Sequence, residues 1–289
     1  MSRTRVYAYM MAVAAVLAPL PVGGAWRASA GDAPARLPAA VHALYKVEFG
    51  GFSVGTFEFT ANIAAGTYRL SGDAKLSALA GLFQWEGVTR SVGHVGARDP
   101  SPSGYAFEYR SGSTGGSIRM GFKKSAVTSV TALPVKSEPA PAVALKPQHL
   151  KGVLDPLSAV MALTRLPAGG DAVNPCNRRL SIFDGKQRFD LVLSYRRQTA
   201  VPETTPSGHS ALAFVCAVRY VPIAGHPDDS GTRYMQRNTG IEVTLRPIPS
   251  AGVAIPYRIA IPTVAGSAVL TTERVQLVMP GQQQIAFIH

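Results

Sequence analysis

The sequence predicts an all-β fold, with a large curled antiparallel sheet or barrel and one short helix. Three observations lead to this fold class. Apolar and polar residues alternate with a period of two over much of the chain, which is the pattern of half-buried strands. Turn sequences that contain Gly or Pro separate these runs. Only the segment that begins at Asp155 has the pattern of a short amphipathic helix.

The first two strands are predicted to form a hairpin. Apolar side chains occupy the odd positions from Val41 to Phe49 and alternate with polar ones such as Lys46 and Glu48. Gly50-Gly51 then supplies a two-residue turn that can adopt positive φ, and a second strand follows at Phe52–Thr60.

Five further strands are predicted in the first half of the chain. Between two of them, Gly112–Gly116 has the glycine content of a phosphate loop but not its G-x-x-x-x-G-K-[ST] pattern, so we interpret it as a hairpin turn. The predicted strands are Thr67–Ser77, Leu82–Val95, Tyr105–Ser111, Ser117–Phe122 and Ala126–Leu133.

A proline- and alanine-rich connection at residues 134–147 precedes the predicted helix. Asp155 is a good N-cap and Pro156 suits the first helical position, while Pro167 ends the pattern. Such a helix usually covers a sheet. We expect its apolar side chains to be buried against strand residues of the second half of the chain. The expected helix side chains are Leu157, Val160 and Met161, and the expected partners are Phe189, Leu191 and Phe214.

The second half of the chain again has the pattern of strands. An Asp184-Gly185 turn leads into the first of them, and Pro256 and Pro262 indicate that one strand lies at an edge or contains a bulge. The predicted strands are Phe189–Tyr195, Leu212–Tyr220, Ile241–Leu245, Ile255–Ile261 and Ala268–Val278.

The N-terminus has the order of features of a secretory signal peptide. Arg3 and Arg5 precede an uncharged apolar run, Tyr7–Leu20, and Ala28–Ala30 forms an A-x-A cleavage site. The run is shorter than the roughly 20 residues that a membrane-spanning helix needs. We therefore predict a signal peptide at residues 1–30, cleavage after Ala30, and a single exported β-rich domain at residues 31–289 without a transmembrane segment in the mature chain. A retained N-terminal anchor is the alternative.

The formal net charge of +12 belongs to a chain without a Lys/Arg-rich block, so a nucleic-acid partner has little support. A basic exported protein can associate with anionic polymers or lipid headgroups, although charges spread over solvated strand faces explain the same composition. Cys176 and Cys216 are the two cysteines. In an exported chain they predict a disulfide, because a redox C-x-x-C pattern is missing and no activating base is recognisable for a nucleophile.

No catalytic, cofactor-binding or metal-ligating residue is predicted. The six histidines are scattered singly and match no zinc motif. Asp228-Asp229 lies in a turn-rich stretch, where hydrogen bonding explains the acids as well as calcium binding would. Glu86, beside Trp85, is the acid whose strand context comes closest to a catalytic one, and an ordinary outward-facing residue explains it equally.

Several segments, taken together, resemble the exported bacterial family catalogued as domain of unknown function 3108. The resemblance implies a periplasmic β-rich protein of Gram-negative bacteria without an assigned activity, and it supplies no catalytic residues. The layout is similar in kind to curled-sheet envelope proteins that carry lipids or maintain envelope integrity. The segments that carry the resemblance are Tyr45–Thr56, Asp155–Ala159, Phe183–Lys186, Tyr220–Gly225 and Pro256–Pro262.

One short helix cannot cover the apolar face of a dozen strands, so the sheet must close on itself or leave a cleft. Our leading hypothesis is a non-enzymatic periplasmic protein that supports envelope integrity by binding a lipid or another amphipathic envelope component. The alternatives are a hydrolase of cell-wall or lipid material and a structural module that binds an envelope protein. An apolar cavity would favour the first, a polar cleft with two close carboxylates the second, and a filled interior with an exposed apolar patch the third.

Overall fold

The computed structural model describes residues 37–78, 81, 83–96, 99–134, 141–166, 174–202, 211–281 and 283–288. The predicted signal peptide and residues 135–140 of the predicted connection lie outside these ranges. Within them the chain is mostly β, as predicted, with two short helices, α1 (Pro156–Thr164) and α2 (Ser230–Arg237). The strands are β1 (Ala40–Phe49), β2 (Phe52–Ala64), β3 (Thr67–Ala78), β4 (Phe83–His94), β5 (Ser101–Ser111), β6 (Thr114–Lys123), β7 (Ala126–Leu133), β8 (Arg178–Phe183), β9 (Arg188–Val201), β10 (Ala211–Ala224), β11 (Glu242–Ile248), β12 (Val253–Thr263), β13 (Gly266–Val278) and β14 (Gln284–Ile288).

The described strands form one antiparallel sheet. Its order is β7-β6-β5-β4-β3-β2-β1-β13-β12-β11-β10-β9-β8, and β14 pairs with β13. Nearly every strand therefore pairs with its neighbour in sequence, while the pairing of β1 with β13 joins the two halves. At the predicted first hairpin, Gly50 and Gly51 have φ values of 58° and 87°, which a residue with a Cβ adopts only at a cost.

The sheet does not close into a complete ladder, but the segment just before α1 connects its two edges. Lys151 forms a bridge with Ala126 at the start of β7, and Leu154 forms a bridge with Ile182 of β8. Val153, between them, is fully buried. It packs in one cluster with Phe183 of edge strand β8 and with Tyr105, Met120 and Phe122 of β5 and β6, which lie close to edge strand β7. The curled sheet is thus barrel-like.

Helix α1 begins where the sequence predicted. The Asp155 carboxylate accepts hydrogen bonds from the backbone N–H groups of Leu157 and Ser158, and Pro156 occupies the first helical position, where a missing N–H costs nothing. The helix ends at Thr164, before the predicted stop at Pro167.

The partners expected for this helix need correction. Leu157 and Met161 pack against Tyr68 and Leu70 of β3, in the first half of the sheet. The predicted partners from β9 and β10 belong to a second cluster, which Ala159 and Ala162 reach from another side of the helix. An α-helix enclosed by a curled sheet meets strands on several sides, and spacing within the helix does not reveal which strand faces which side.

Helix α2 was not predicted, since only one helix was expected. Its sequence, SGTRYMQR, is polar on average, only eight residues long, and contains just two large apolar side chains, Tyr234 and Met235. The signal that could have revealed it is its N-cap: the Asp229 carboxylate accepts a hydrogen bond from the Thr232 N–H at 2.7 Å. The turn-rich appearance of Gly225–Gly231 concealed this cap. Strands β8 and β14 were also missed.

The prediction for β12 was wrong in one part and right in another. The strand lies between β11 and β13 and is not an edge. Its register against β11 shifts between Thr244 and Leu245, where Arg258 and Pro256 are the successive partners, so a bulge accommodates the proline. Pro262 lies near the end of the strand, opposite Ser267.

The disulfide joins the segment before β8 to the middle of β10. The Cα atoms of Cys176 and Cys216 lie 5.2 Å apart, and both residues are fully buried. They belong to the cluster that contains Ala159 and Ala162 of α1. In the described part of the chain, neither helix is long and apolar enough to cross a membrane.

Candidate ligand cavity

An apolar cavity lies between α1 and the strands around the β1–β13 pairing. The space that a water-sized sphere can reach inside it amounts to about 90 Å³. One water molecule needs roughly 10–15 Å³ by this measure, so the cavity has room for a short apolar group. The described residues that line it are Leu37, Pro38, Val41, Ala43, Tyr45, Phe57, Phe59, Ala61, Ile63, Leu70, Val160, Met161, Thr164, Arg165, Val253, Ile255, Pro256, Ile259 and Leu270.

Strand register explains why these side chains share one face. Val41, Ala43 and Tyr45 lie at alternate positions of β1, and their partners on β2 are Ala61, Phe59 and Phe57. Side chains at alternate positions of a strand point to the same face of a sheet. The period-two pattern that predicted the first hairpin therefore produces one wall of the cavity.

A glycine shapes this wall. Gly72 of β3 is the register partner of Phe59, and a Cβ added to it would lie 2.9 Å from the ring of Phe57. That distance is too short for a side chain, so the glycine leaves room for the ring. The Phe57 ring centroid lies 6.0 Å from that of Tyr45, within the range of favourable aromatic pairs.

Polar groups are few in the cavity, and two of them are bonded within the protein. The Thr164 hydroxyl donates to the Met161 carbonyl at 3.1 Å. The Tyr45 phenol hydrogen-bonds the Thr272 side chain, and burial raises its pKa, so this group stays neutral. The described wall of the cavity is thus mostly apolar.

Arg165, the residue directly after α1, is among the residues that line the cavity. One of its guanidinium nitrogens donates to the Gly96 carbonyl at 2.7 Å. Burial lowers its pKa, and the nearby Asp99 carboxylate partly opposes that effect. Arg178 lies close by and donates to the backbone carbonyls of Ala162 and Arg165 at the end of the helix.

A buried polar network holds the other end of α1. The Asp155 carboxylate accepts from the hydroxyls of Ser91 at 2.9 Å and Ser158 at 2.5 Å, and the Ser158 hydroxyl also contacts the Tyr68 hydroxyl at 2.7 Å. Burial raises the pKa of Asp155, and it raises that of Tyr68 to about 12. All four residues are buried, so we interpret the network as an anchor for the helix.

The residues considered for chemistry do not come together. No group of three or more His, Cys, Asp or Glu side chains is close enough to hold a metal ion in the described ranges. Glu86 is exposed on β4, and Asp228 pairs with Arg233 on α2. His226 is buried, where its ring nitrogens contact the Tyr220 hydroxyl and the Arg188 carbonyl.

One further motif has the spacing of a catalytic serine. Gly51–Gly55 matches G-x-S-x-G, which in hydrolases forms a strand–turn–helix elbow. Here it lies at the start of β2 in the first hairpin, and Ser53 is an exposed strand residue. The context required for a nucleophile is therefore missing at this position.

A family model described as "Protein of unknown function (DUF3108)" matches residues 44–273, most of the chain. The chain belongs to this family. Two segments that carried the resemblance have structural roles here. Asp155–Ala159 is the capped start of α1, and in Phe183–Lys186 the Asp184 carboxylate accepts from the backbone N–H of Lys186 and Gln187 at 2.8 and 2.7 Å.

Among solved structures, the chain is similar to a β-barrel-like protein of domain of unknown function DUF1849 from Brucella abortus. The sequences are 11% identical, the TM-score is 0.50, and the match covers 84% of this chain and 99% of the other. This similarity concerns the fold alone. Comparison with curated proteins finds no match.

Proposed function

We propose that this protein is a non-enzymatic envelope protein that binds the hydrocarbon part of an amphipathic envelope lipid. The observation that carries the proposal is the apolar cavity beside α1, lined by side chains of β1, β2, β12 and the helix. Transfer of a hydrocarbon chain from water into such a space is favourable by about 0.8 kcal/mol for each buried CH₂ group.

The chemistry of the cavity wall favours binding over hydrolysis. Its described lining contains no carboxylate, imidazole or thiol, and general acid–base or nucleophilic catalysis relies on such groups. The alternative of a hydrolase would therefore need a site elsewhere on the molecule. The barrel-like fold of the similar Brucella abortus protein is compatible with a carrier, since closed and curled sheets often hold ligands between their walls.

A direct binding experiment tests the proposal. Purified protein is titrated with a fluorescent fatty acid, and unlabelled palmitate and lysophosphatidylglycerol then compete for the site. Val160→Trp places a large ring in the cavity, so we expect it to weaken binding by at least about tenfold, the equivalent of roughly 1.4 kcal/mol. Val130→Trp, on exposed β7, is the matched control. Absence of binding, or equal binding by both variants, would overturn the proposal.

Export to the periplasm is the second part of the proposal. The order of features in residues 1–30 and the disulfide both suit an oxidising compartment. We expect N-terminal sequencing of protein from the envelope fraction of a Gram-negative host to begin at Gly31. Full-length chain recovered from the cytosol would contradict it.

A further inference from the structure

Three neighbouring hairpins carry exposed apolar side chains at their tips. Consecutive turns of an antiparallel sheet alternate between its two ends, so the β1–β2 and β3–β4 turns lie at one end and the β2–β3 turn at the other. The β12–β13 turn lies beside the β1–β2 turn, where the Gly50 N–H donates to the Ser267 carbonyl at 3.0 Å. We call this end of the sheet the hairpin rim. Its exposed apolar side chains are Phe49 and Phe52 of the first hairpin, Phe83 of the second and Val264 of the third.

The tips of the hairpin rim project into open space. Phe52 is 77% exposed and Val264 is 70% exposed, although large apolar side chains are usually buried. A Cβ added to Gly50 or Gly51 would meet no atom within 4 Å, so nothing in the described part of the chain covers this turn. Single exposed apolar residues need no explanation, but a group of them on adjoining turns marks a binding surface.

The opposite end of the same strands is chemically different. The β2–β3 turn there is formed by Ala65 and Gly66, and the β6–β7 turn by Lys124 and Ser125. Neither turn contains a large apolar side chain. A hairpin of this sheet therefore does not require an apolar tip, and the composition of the hairpin rim calls for a partner that solvates hydrocarbon.

A row of cations crosses the outer face of the sheet below the hairpin rim. Lys46 alternates with the buried Tyr45 and Val47, so it and its register partners face away from the core. Lys46 also lies four positions before Gly50, roughly 13 Å along the strand from the turn. The register partners run in order through Arg258, Thr271, Lys46, Thr56, Lys75, Glu86 and Arg110.

Cations outnumber acids in this cationic row, which we define by Arg258, Lys46, Lys75 and Arg110. Glu86 is the acid within it, and Glu48 pairs with Lys46 at 2.9 Å. Lys75, Arg110 and Arg258 are exposed. The cationic row therefore offers an anionic surface a set of charges that span several strands.

An anionic lipid bilayer matches both features in the right order. Apolar side chains that bind from the surface reach about 5–10 Å into the boundary between headgroups and acyl chains. With the tips at that depth, the cationic row lies within roughly one Debye length of the headgroups, about 8 Å, where it attracts anionic lipids. A fluid lipid layer accommodates separate tips, whereas a protein partner would need a matching pocket for each hairpin.

We infer that the hairpin rim binds the surface of an anionic lipid bilayer, with its apolar tips among the acyl chains and the cationic row beside the headgroups. This inference concerns the outside of the molecule and does not depend on the cavity. It also goes beyond lipid binding, since it specifies the end of the sheet that meets the membrane.

Vesicle flotation tests the inference. Protein purified from the envelope fraction is mixed with vesicles of phosphatidylethanolamine and phosphatidylglycerol, or with vesicles of phosphatidylcholine alone, at low and high salt. We expect binding to the anionic vesicles to be at least about tenfold tighter than to phosphatidylcholine, and to weaken at high salt because the attraction is screened. Absence of the protein from both kinds of floated vesicle would overturn the inference.

A double substitution at the tips locates the apolar contact. Phe52→Ser/Val264→Ser should weaken binding to the anionic vesicles by at least about tenfold, because two side chains no longer enter the lipid layer. Both positions are exposed, so the fold should be retained, as circular dichroism would show. Leu212→Ser is the matched control, since it removes an apolar side chain that is 62% exposed on β10. Equal binding by the double variant and the control would contradict the assigned surface.

A second pair of variants locates the charges. Lys75→Gln/Arg110→Gln should weaken binding to the anionic vesicles by at least about fivefold. Arg69→Gln/Lys123→Gln removes the same charge from exposed positions of β3 and β6 nearer the opposite end, so its effect should be smaller. Equal losses in both variants would show attraction by the overall charge of the chain and would overturn the role of the cationic row.

The cavity and the hairpin rim can fail separately. Phe52→Ser/Val264→Ser should retain the affinity of the wild type for the fluorescent fatty acid, and Val160→Trp should still float with the vesicles. If neither the fatty acid nor its competitors bind but flotation depends on the tips, lipid binding in the cavity is wrong and the membrane contact stands. Fatty-acid binding without flotation would give the reverse result.

Discussion

Asp155 is a carboxylate that water does not reach, since it is 0% exposed. It accepts hydrogen bonds from two backbone N–H groups of α1 and from the hydroxyls of Ser91 and Ser158. This single residue therefore caps a helix and connects it to β4. The Asp-Pro dipeptide predicted the cap, but nothing in the sequence pointed to Ser91, which lies 64 residues away.

Replacing Asp155 should destabilise the protein strongly. Asp155→Ala removes the cap and leaves two buried hydroxyls without their acceptor, so we expect a loss of about 2–4 kcal/mol in the free energy of unfolding. Urea unfolding followed by circular dichroism measures it. Asp155→Asn, which keeps the shape and one acceptor oxygen, should lose less. An unchanged stability of Asp155→Ala would show that the network does not hold the helix.

The raised pKa of Asp155 also gives a pH dependence with a definite sign. Between its ordinary value of 3.8 and its higher value in the folded protein, the folded state holds a proton that the unfolded state has released. The contribution of Asp155 to stability is therefore complete below the ordinary value and decreases as the pH rises through the folded value. Subtracting the free energy of unfolding of Asp155→Asn from that of the wild type at each pH isolates this contribution. A difference that increases with pH would contradict the assigned direction.

The disulfide joins two buried residues that are 40 positions apart. In the chain-entropy model, opening a loop of this length costs about 3–4 kcal/mol. We expect unreduced peptides of the exported protein to contain Cys176 linked to Cys216 by mass spectrometry. The Cys176→Ser/Cys216→Ser variant should unfold at lower urea concentration, and dithiothreitol should affect only the wild type. Two free thiols in the native exported protein would refute the pairing.

At the scale of single elements, α1 fills the space between the two halves of the sheet. Leu157 is 4% exposed and packs against Tyr68 and Leu70 of β3. Leu157→Ala should reduce the free energy of unfolding by about 2–5 kcal/mol, as at other buried leucines. Leu212→Ala on β10 deletes the same atoms at a position that is 62% exposed, so it should cost far less. Equal melting temperatures for both variants would mean that α1 is peripheral.

The elements that the sequence predicted are those with strong local signals. The hairpin around Gly50-Gly51 and the capped start of α1 follow from period-two alternation and from the Asp-Pro dipeptide. Helix α2 is polar on average and has eight residues, and β8 (RRLSIF) has six, so each is too short for its pattern to be recognised in the sequence. The position of β12 in the sheet could not be predicted from its prolines. A proline cannot donate a hydrogen bond to a neighbouring strand, which suggests an edge, but a bulge also accommodates a proline inside a sheet.

The cavity could be predicted only in kind. One helix is too small for the apolar face of the sheet, and this mismatch implied a closed barrel or a cleft. Which side chains line the space depends on the pairing of β1 with β13, strands more than 200 residues apart in sequence. Local patterns do not specify such long-range pairings.

At the scale of the whole molecule, the described sheet has two edges, β7 and β8, and the segment just before α1 forms a bridge with each of them. Phe183 of β8 is 1% exposed and belongs to the same cluster as Met120 and Phe122 of β6. Val153, from the connecting segment, completes this cluster. The two ends of the chain of strands therefore stabilise each other through side chains, although no continuous ladder joins them.

If this contact closes the barrel, breaking it should loosen both edges together. We expect Phe183→Ala to cost about 3–5 kcal/mol and to speed amide hydrogen exchange in β7 as well as in β8, because each edge loses the cluster that the other supports. Phe83→Ala removes the same ring from a position that is 44% exposed and provides the control. Faster exchange confined to β8 would show that the two edges open independently. The cavity would then lie in an open curled sheet, and the contact between the edges would not close the barrel.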